Sequence, residues 1–192
     1  MDIGFGVESG SYKGFYKMTI KNQSIPVFQK LEKNEEGKWV SSGEANSIAG
    51  YLQDVKIESY EYKNDEVKQL VLILDLGDGG PSKLEMNFNG ISKGIINNLS
   101  NEKSFIGSKL SLRLYTKNDN PNCYCTLDDN KMSWGVPVDQ VKANWKNDDF
   151  WVKVFEQKIK PNITLPMSNS NLGFGTTEKE VELVQENDDL PF

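Results

Sequence analysis

Residues 67–99 read VKQLVLILDLGDGGPSKLEMNFNGISKGIINNL, and the fold turns on how the apolar period changes along this stretch. Leu70, Leu72, Leu74 and Leu76 alternate, with Val71 and Ile73 between them, so residues 67–76 predict a central strand. Gly77-Asp78-Gly79-Gly80-Pro81 predicts a turn. Leu84, Met86 and Phe88 alternate again over residues 83–88, and Asn89-Gly90 closes that strand. Then the period lengthens. Ile91, Ile95 and Leu99 recur every four residues, the spacing of one helix face, with Ser92 as the expected N-cap.

Outward from this stretch the strand period returns on both sides. Residues 48–62 predict one long strand, with Val55 and Ile57 on one face and Lys56, Glu58, Tyr60 and Tyr62 on the other. Residues 109–117 put Leu110, Leu112 and Leu114 inward and Ser111, Arg113 and Tyr115 outward. Asn118 to Asn122 predicts a loop, and Cys123 to Leu127 a last strand with Tyr124 outward. Three strands, a helix and two strands is the order of the OB-fold, a five-stranded Greek-key barrel with one helix between strands 3 and 4. The single helix in that slot separates this reading from a generic antiparallel sandwich. The fold class is therefore expected to be mainly all-β.

The flanks add pieces to this core over residues 46–136. Residues 1–45 predict an N-terminal β extension, with strands at 15–20, 25–31 and 38–40 and a turn at Asn34-Glu35-Glu36-Gly37. Residues 137–165 predict a short helical strap packed on the core. Val138, Val141 and Trp145 have helical spacing there, as do Trp151, Val154, Phe155 and Ile159, with Asp148 as cap and Pro161 as stop. Residues 166–192 predict a disordered linker, rich in Ser, Asn, Gly and Thr over 167–177, followed by an acidic interaction tail.

Composition narrows the chemistry. Of 192 residues 37% are apolar, with nine Phe, seven Tyr and four Trp, a globular composition. The longest apolar runs are far too short for a membrane span, and Met1-Asp2-Ile3-Gly4-Phe5 lacks the pattern of a secretory signal. The expected location is the cytoplasm, or the host cytoplasm for a phage-encoded chain, with no membrane partner. The chain has no histidine and only two cysteines, Cys123 and Cys125, which argues against imidazole catalysis and a zinc site. On a strand the two thiols share a face and predict small inward residues. Gly4-Phe5-Gly6 lacks the Gly-Lys-Ser/Thr of a phosphate loop. Asp128-Asp129 and Asp148-Asp149 read as turn or cap residues before they read as a metal site. Asn162-Ile163-Thr164 matches a glycosylation acceptor, irrelevant without secretion. No cofactor, metal or catalytic residue is expected.

The net charge of −6 is unevenly spread. Residues 176–192 hold six acidic side chains against one lysine, so residues 1–175 are left with 21 basic and 22 acidic. A nearly neutral body can carry a local basic groove. The last residues, Asn187-Asp188-Asp189-Leu190-Pro191-Phe192, place an apolar ring, a fixed backbone and clustered carboxylates together. That tip suits capture by a partner with an apolar pocket and basic rim.

The tip resembles the C-terminal peptide of bacterial single-stranded DNA-binding proteins, which ends in aspartates followed by Ile-Pro-Phe. Asp188, Asp189, Pro191 and Phe192 match, and Leu190 stands for the isoleucine. The resemblance, to a phage-type or divergent bacterial member, implies an OB-fold body that holds DNA. It also implies that the tip recruits replication, recombination and repair enzymes. The expected activity is non-catalytic, sequence-independent binding of single-stranded DNA, by a monomer or a homodimer. Such binding needs flat rings interleaved with cations. The outward residues that fit are Arg113, Tyr115, Lys117 and Tyr124, then Tyr60, Tyr62 and Lys63, then Lys131 and Trp134. Tyr12, Lys13, Phe15, Tyr16 and Lys17 form a second candidate cluster. The alternatives are a recombination or replication mediator, or adaptor, whose barrel binds protein, and a metal-dependent nuclease using scattered acids.

Overall fold

The long strand over residues 47–62 organises the molecule. The computed structural model describes residues 12–163. The interaction tail, with Asp188, Asp189, Leu190, Pro191 and Phe192, lies outside the described residues, as do residues 1–11. In chain order the strands are β1 (Gly14–Lys21), β2 (Ile25–Lys33), β3 (Trp39–Ala45), β4 (Ser47–Tyr62), β5 (Asp65–Asp75) and β6 (Pro81–Asn87). Helix α1 (Gly90–Leu99) follows, then β7 (Lys109–Lys117), β8 (Asn120–Leu127) and β9 (Asn130–Lys131). The chain finishes in α2 (Val138–Asn144), α3 (Asp148–Val154), a π-turn (Phe155–Ile159) and α4 (Lys160–Ile163).

All nine strands join one open, mixed sheet in the order β3-β2-β1-β6-β5-β4-β7-β8-β9. The first part of β4 pairs with β7, from Ser47↔Arg113 to Tyr51↔Lys109. The remainder pairs with β5, from Tyr51↔Asp75 to Tyr62↔Asp65. The crossover is marked by two local devices. A Cβ on Gly50 would lie 2.6 Å from the Asp75 carbonyl oxygen, so only glycine lets the two backbones pass at that spacing. Register then slips between Leu52 and Asp54, leaving Gln53 extra, and the slip keeps both Leu52 and Val55 facing the core.

The N-terminal strands are not an appendage. β1 runs parallel to β6, from Gly14↔Ser82 to Met18↔Met86, so it continues the same sheet. Four strands separate β2 from β7 in the sheet, yet the Thr116 hydroxyl donates to the Ser24 carbonyl at 2.8 Å. The sheet is therefore rolled far enough for its N-terminal hairpin to reach the end of β7. Met18 and Phe28 from that hairpin share one buried cluster with Leu72, Leu84, Leu112 and Cys125. At about 1.5–3 kcal/mol for each large apolar side chain buried, this cluster is the main source of stability.

Helix α1 covers one end of this core with Ile91, Ile95, Ile96 and Leu99. Its N-cap is Asn89, not Ser92. The Asn89 Oδ1 accepts from the Ile91 and Ser92 amides, while the Ser92 Oγ accepts from the Asn89 amide at 2.8 Å. Serine at the third helical position closes a capping box that asparagine opens. The second helical pattern needs similar correction. Asn147 caps α3 through Phe150, and the helix passes Pro161 by way of the π-turn and runs to Ile163, the last described residue. Trp151, Val154, Phe155 and Ile159 join the core, but of the preceding group only Val141 is buried. Val138 and Trp145 are 53% and 38% exposed, because α2 is too short to turn more than one residue inward.

Three hairpins use two-residue turns with both residues left-handed, Lys63-Asn64, Asn118-Asp119 and Asp128-Asp129, and the three-residue β1–β2 loop has Asn22 and Gln23 left-handed as well. Asn and Asp tolerate this geometry, which matches the strand twist. The loop expected over 118–122 thus contracts to Asn118-Asp119, and β8 starts at Asn120. Asp128 is a turn residue whose carboxylate accepts from the Lys109 amide at 2.8 Å. No helix among the described residues is long and apolar enough to cross a membrane.

Candidate nucleic-acid interface

Register decides which outward residues meet. In the β7–β8 hairpin Arg113 lies directly opposite Tyr124, Tyr115 opposite Asn122, and Lys117 opposite Asn120. Tyr115 and Tyr124 are therefore diagonal neighbours on one face, within reach for aromatic rings. They are 42% and 44% exposed. The face extends to β9, where Lys131 pairs with Thr126. On the other side it reaches β4, where Ser47 pairs with Arg113 and Tyr51 with Lys109. Tyr51 is 56% exposed and was missed by sequence reasoning. Its alternation with buried Gly50 and Leu52 could have identified it.

Arg113, Lys117 and Lys131 form no ion pair among the described residues, so their charges are open to phosphate. Lys109 is tied to Asp129 at 3.4 Å. Tyr60, Tyr62 and Lys63 belong to a different patch by register. They sit at the β4–β5 turn, while β7 leaves from the opposite end of β4. There Lys63 places its ammonium 5.2 Å from the centroid of the Tyr62 ring. Tyr60 is only half-buried, and Tyr62 is 57% exposed.

Between these patches the outer face of β4, β5 and β6 is electrostatically closed. Lys83 bonds Glu58 at 3.0 Å and Glu85 at 2.9 Å, and Lys56 adds a contact to Glu58 at 3.3 Å. The Lys83 side chain is only 9% exposed. Burial works against its charge, but the bonds and fields of Glu85 and Glu58 outweigh that and push its pKa up. For Glu58 burial likewise opposes ionisation, yet Lys83 and then Lys56 hold it below the usual carboxylate range. Lys83 is thus committed to its own acids.

Two further aromatic groups complete the surface. Phe15 packs on Trp39 at 4.8 Å and edge-on against Tyr12 at 5.8 Å, with Lys33 5.4 Å from the Trp39 ring. Tyr16 and Met18 point the other way, toward the core, so the N-terminal cluster is split between two faces. Trp134, 51% exposed, stands on the segment after β9 and faces a cleft beside α1 with Trp145. Cys123 and Cys125 are free, with sulfurs 3.7 Å apart. The neighbouring Cys125 sulfur and then burial push the Cys123 thiol up, which suits a packing role over a reactive one.

No family model, no curated protein and no solved structure matches this chain.

Proposed function

We propose that the protein binds single-stranded DNA without catalysis, through the outer face of β4, β7 and β8. The observation that carries this reading is the cross-strand set of Arg113, Tyr115 and Tyr124. Two exposed rings lie diagonally on one face, with an uncommitted guanidinium beside them and Lys117 and Lys131 at its borders. Rings spaced in this way stack on successive unpaired bases, and unpaired cations take the phosphates between them. A duplex offers phosphates but hides its base faces, so the rings favour the single strand.

An OB-fold reading of the central strands supports the same conclusion. Around β4 the sheet order is β6-β5-β4-β7-β8, with α1 between β6 and β7 in sequence. That order and helix position support an OB reading, in which the first strand pairs with both the second and the fourth. In place of a direct closure, β1 occupies the free edge of β6. The acidic segment that carries Phe192 would add recruitment of DNA-processing enzymes in the cytoplasm.

Fluorescence anisotropy with labelled oligo-dT tests the reading. The wild type should prefer oligo-dT to duplex and lose affinity as salt rises. Replacing Tyr115 and Tyr124 together by alanine should weaken oligo-dT binding roughly tenfold per ring, at about 1–3 kcal/mol for each stacked base. Equal affinity for duplex, or no binding in dilute buffer, would dismiss the proposal. Deleting residues 178–192 should leave affinity equal or tighter, because the deleted segment is strongly acidic.

A further inference from the structure

A cleft of about 430 Å³ lies between α1, the start of β8 and the two exposed tryptophans Trp134 and Trp145. Its volume is in the range of small-ligand sites. We infer that it is a pocket for one unstacked nucleobase, and that it lets the protein discriminate between bases. The inference rests on the single-stranded DNA reading above and adds to it a second, base-selective contact.

The first argument is the character of the walls. None of the lining residues is charged, so the cleft offers no counter-ion to a phosphate or a carboxylate. It offers two indole surfaces, and Asn98, Asn120 and Asn122 bring polar groups to its lining. The Asn120 and Asn122 side-chain nitrogens each donate one hydrogen at 2.8 Å, to the Asn118 and Asn120 carbonyls, and their carboxamide oxygens accept no bond among the described residues. Flat apolar surface with hydrogen-bonding groups and no ion pair is complementary to a neutral heteroaromatic ring. It is a poor match for the acidic tip of this chain.

The second argument is rigidity. Both tryptophans are exposed, yet both stand on fixed mounts. Trp145 packs edge-on to buried Trp151 at 5.9 Å, and its carbonyl accepts from Lys93 at 3.1 Å. After Trp134 the chain is pinned at once: the Gly135 amide donates to the Asn97 carbonyl at 3.0 Å, and the Val136 amide to Asn97 Oδ1 at 2.8 Å. A Cβ on Gly135 would lie 2.4 Å from the Ser100 hydroxyl, so the glycine lets this segment sit against the end of α1. Pre-set rings lose little freedom on binding. The floor is open as well, since a Cβ on Gly94 would meet nothing within 4 Å.

The third argument is continuity. Asn120 and Asn122 lie opposite Lys117 and Tyr115, so the hairpin that carries the stacking face also forms one wall of the cleft. A strand crossing that face can drop one base over the hairpin edge.

The test compares full-length protein on oligo-dT, oligo-dC and oligo-dA of equal length, by anisotropy and by tryptophan quenching. The wild type should separate the best from the worst homopolymer by roughly tenfold or more, about the value of one or two hydrogen bonds. Gly94→Leu fills the cleft from a surface position on the helix and should bring the three within about twofold. Gly94→Ala adds only a methyl group into open space and should keep the preference. Trp134→Ala removes an exposed wall and should also flatten it, which covers the case that the leucine variant fails to fold. Equal wild-type affinities, or an undiminished preference in both cleft variants, overturn the inference. The proposed function then still stands if Tyr115→Ala with Tyr124→Ala weakens all three oligonucleotides. A wild type that binds none of them overturns both.

Discussion

Replacing Asn97 by alanine probes the mount that holds Trp134. Asn97 is fully buried near the end of α1, and its Oδ1 is the acceptor for the buried amide of Val136 at 2.8 Å. The backbone bonds from Gly135 and from the Ser100 hydroxyl to the Asn97 carbonyl survive the substitution. The Val136 amide does not keep its partner, and an orphaned buried donor costs about 1–3 kcal/mol. One term runs the other way. The Asn97 Nδ2 is buried without a hydrogen-bond partner among the described residues, so its removal relieves part of that cost. The net expectation is a loss of about 1–2 kcal/mol, or roughly 2–8 °C in Tm for a chain of this size. Urea unfolding followed by circular dichroism measures it. Asn97→Asp sharpens the test. It keeps an acceptor for Val136 but buries a carboxylate in an uncharged setting, so at neutral pH it should lose more than alanine does. An alanine variant within about 0.5 kcal/mol of wild type would show that the Val136–Asn97 bond is not what fixes the 132–136 segment, and an aspartate variant as stable as wild type would show only that the site accommodates a carboxylate.

Three other outcomes follow from the same structure. Gly50→Ala forces a methyl group onto the Asp75 carbonyl and should destabilise the protein by about 1–3 kcal/mol, read as a lower urea midpoint; a neutral result would mean that β4 and β5 do not cross so closely. Lys83→Met leaves Glu85 unpaired and Glu58 with Lys56 alone on a partly covered face, and should cost about 1–3 kcal/mol after allowance for their solvent exposure. The pH dependence has a definite sign. Glu58 is held below its ordinary 4.5, so its contribution is present above that pH and fades as pH falls through the lowered value, an acid-side loss that should be smaller in the variant. Arg113→Ala should weaken oligo-dT binding and flatten the slope of log affinity against log salt by about 0.7, the amount expected for one phosphate contact on a single strand; an unchanged slope would remove Arg113 from the interface.

The strand and helix periods were legible because burial imposes them locally. Leu70 to Leu76, Leu84 to Phe88 and Leu110 to Leu114 each had to present one face to a core, whatever the core's shape, and each forms a strand. Asn118-Asp119 shows where local reading falls short. The pair was visible as a break, but the tight turn that places Tyr115 beside Tyr124 depends on left-handed backbone that a composition-rich loop does not reveal. The capping box at Asn89 and Ser92 was hidden for a similar reason, since either residue can cap and only the paired bonds say which does.

The sequence by itself determined the order of elements, the faces on which rings and cations would stand, and the partition of charge between body and tail. Only the tertiary structure decided which of those faces adjoin. It set Tyr51 and Lys131 at the margins of the Arg113 face, neutralised Lys83 between two glutamates, and made Trp145, read from sequence only as part of a helical strap, the wall of a cleft. The reason is physical: alternation records whether a side chain faces water or core, which each segment carries alone, whereas neighbourhood is fixed by strand register and by the roll of the sheet, which belong to all the segments together.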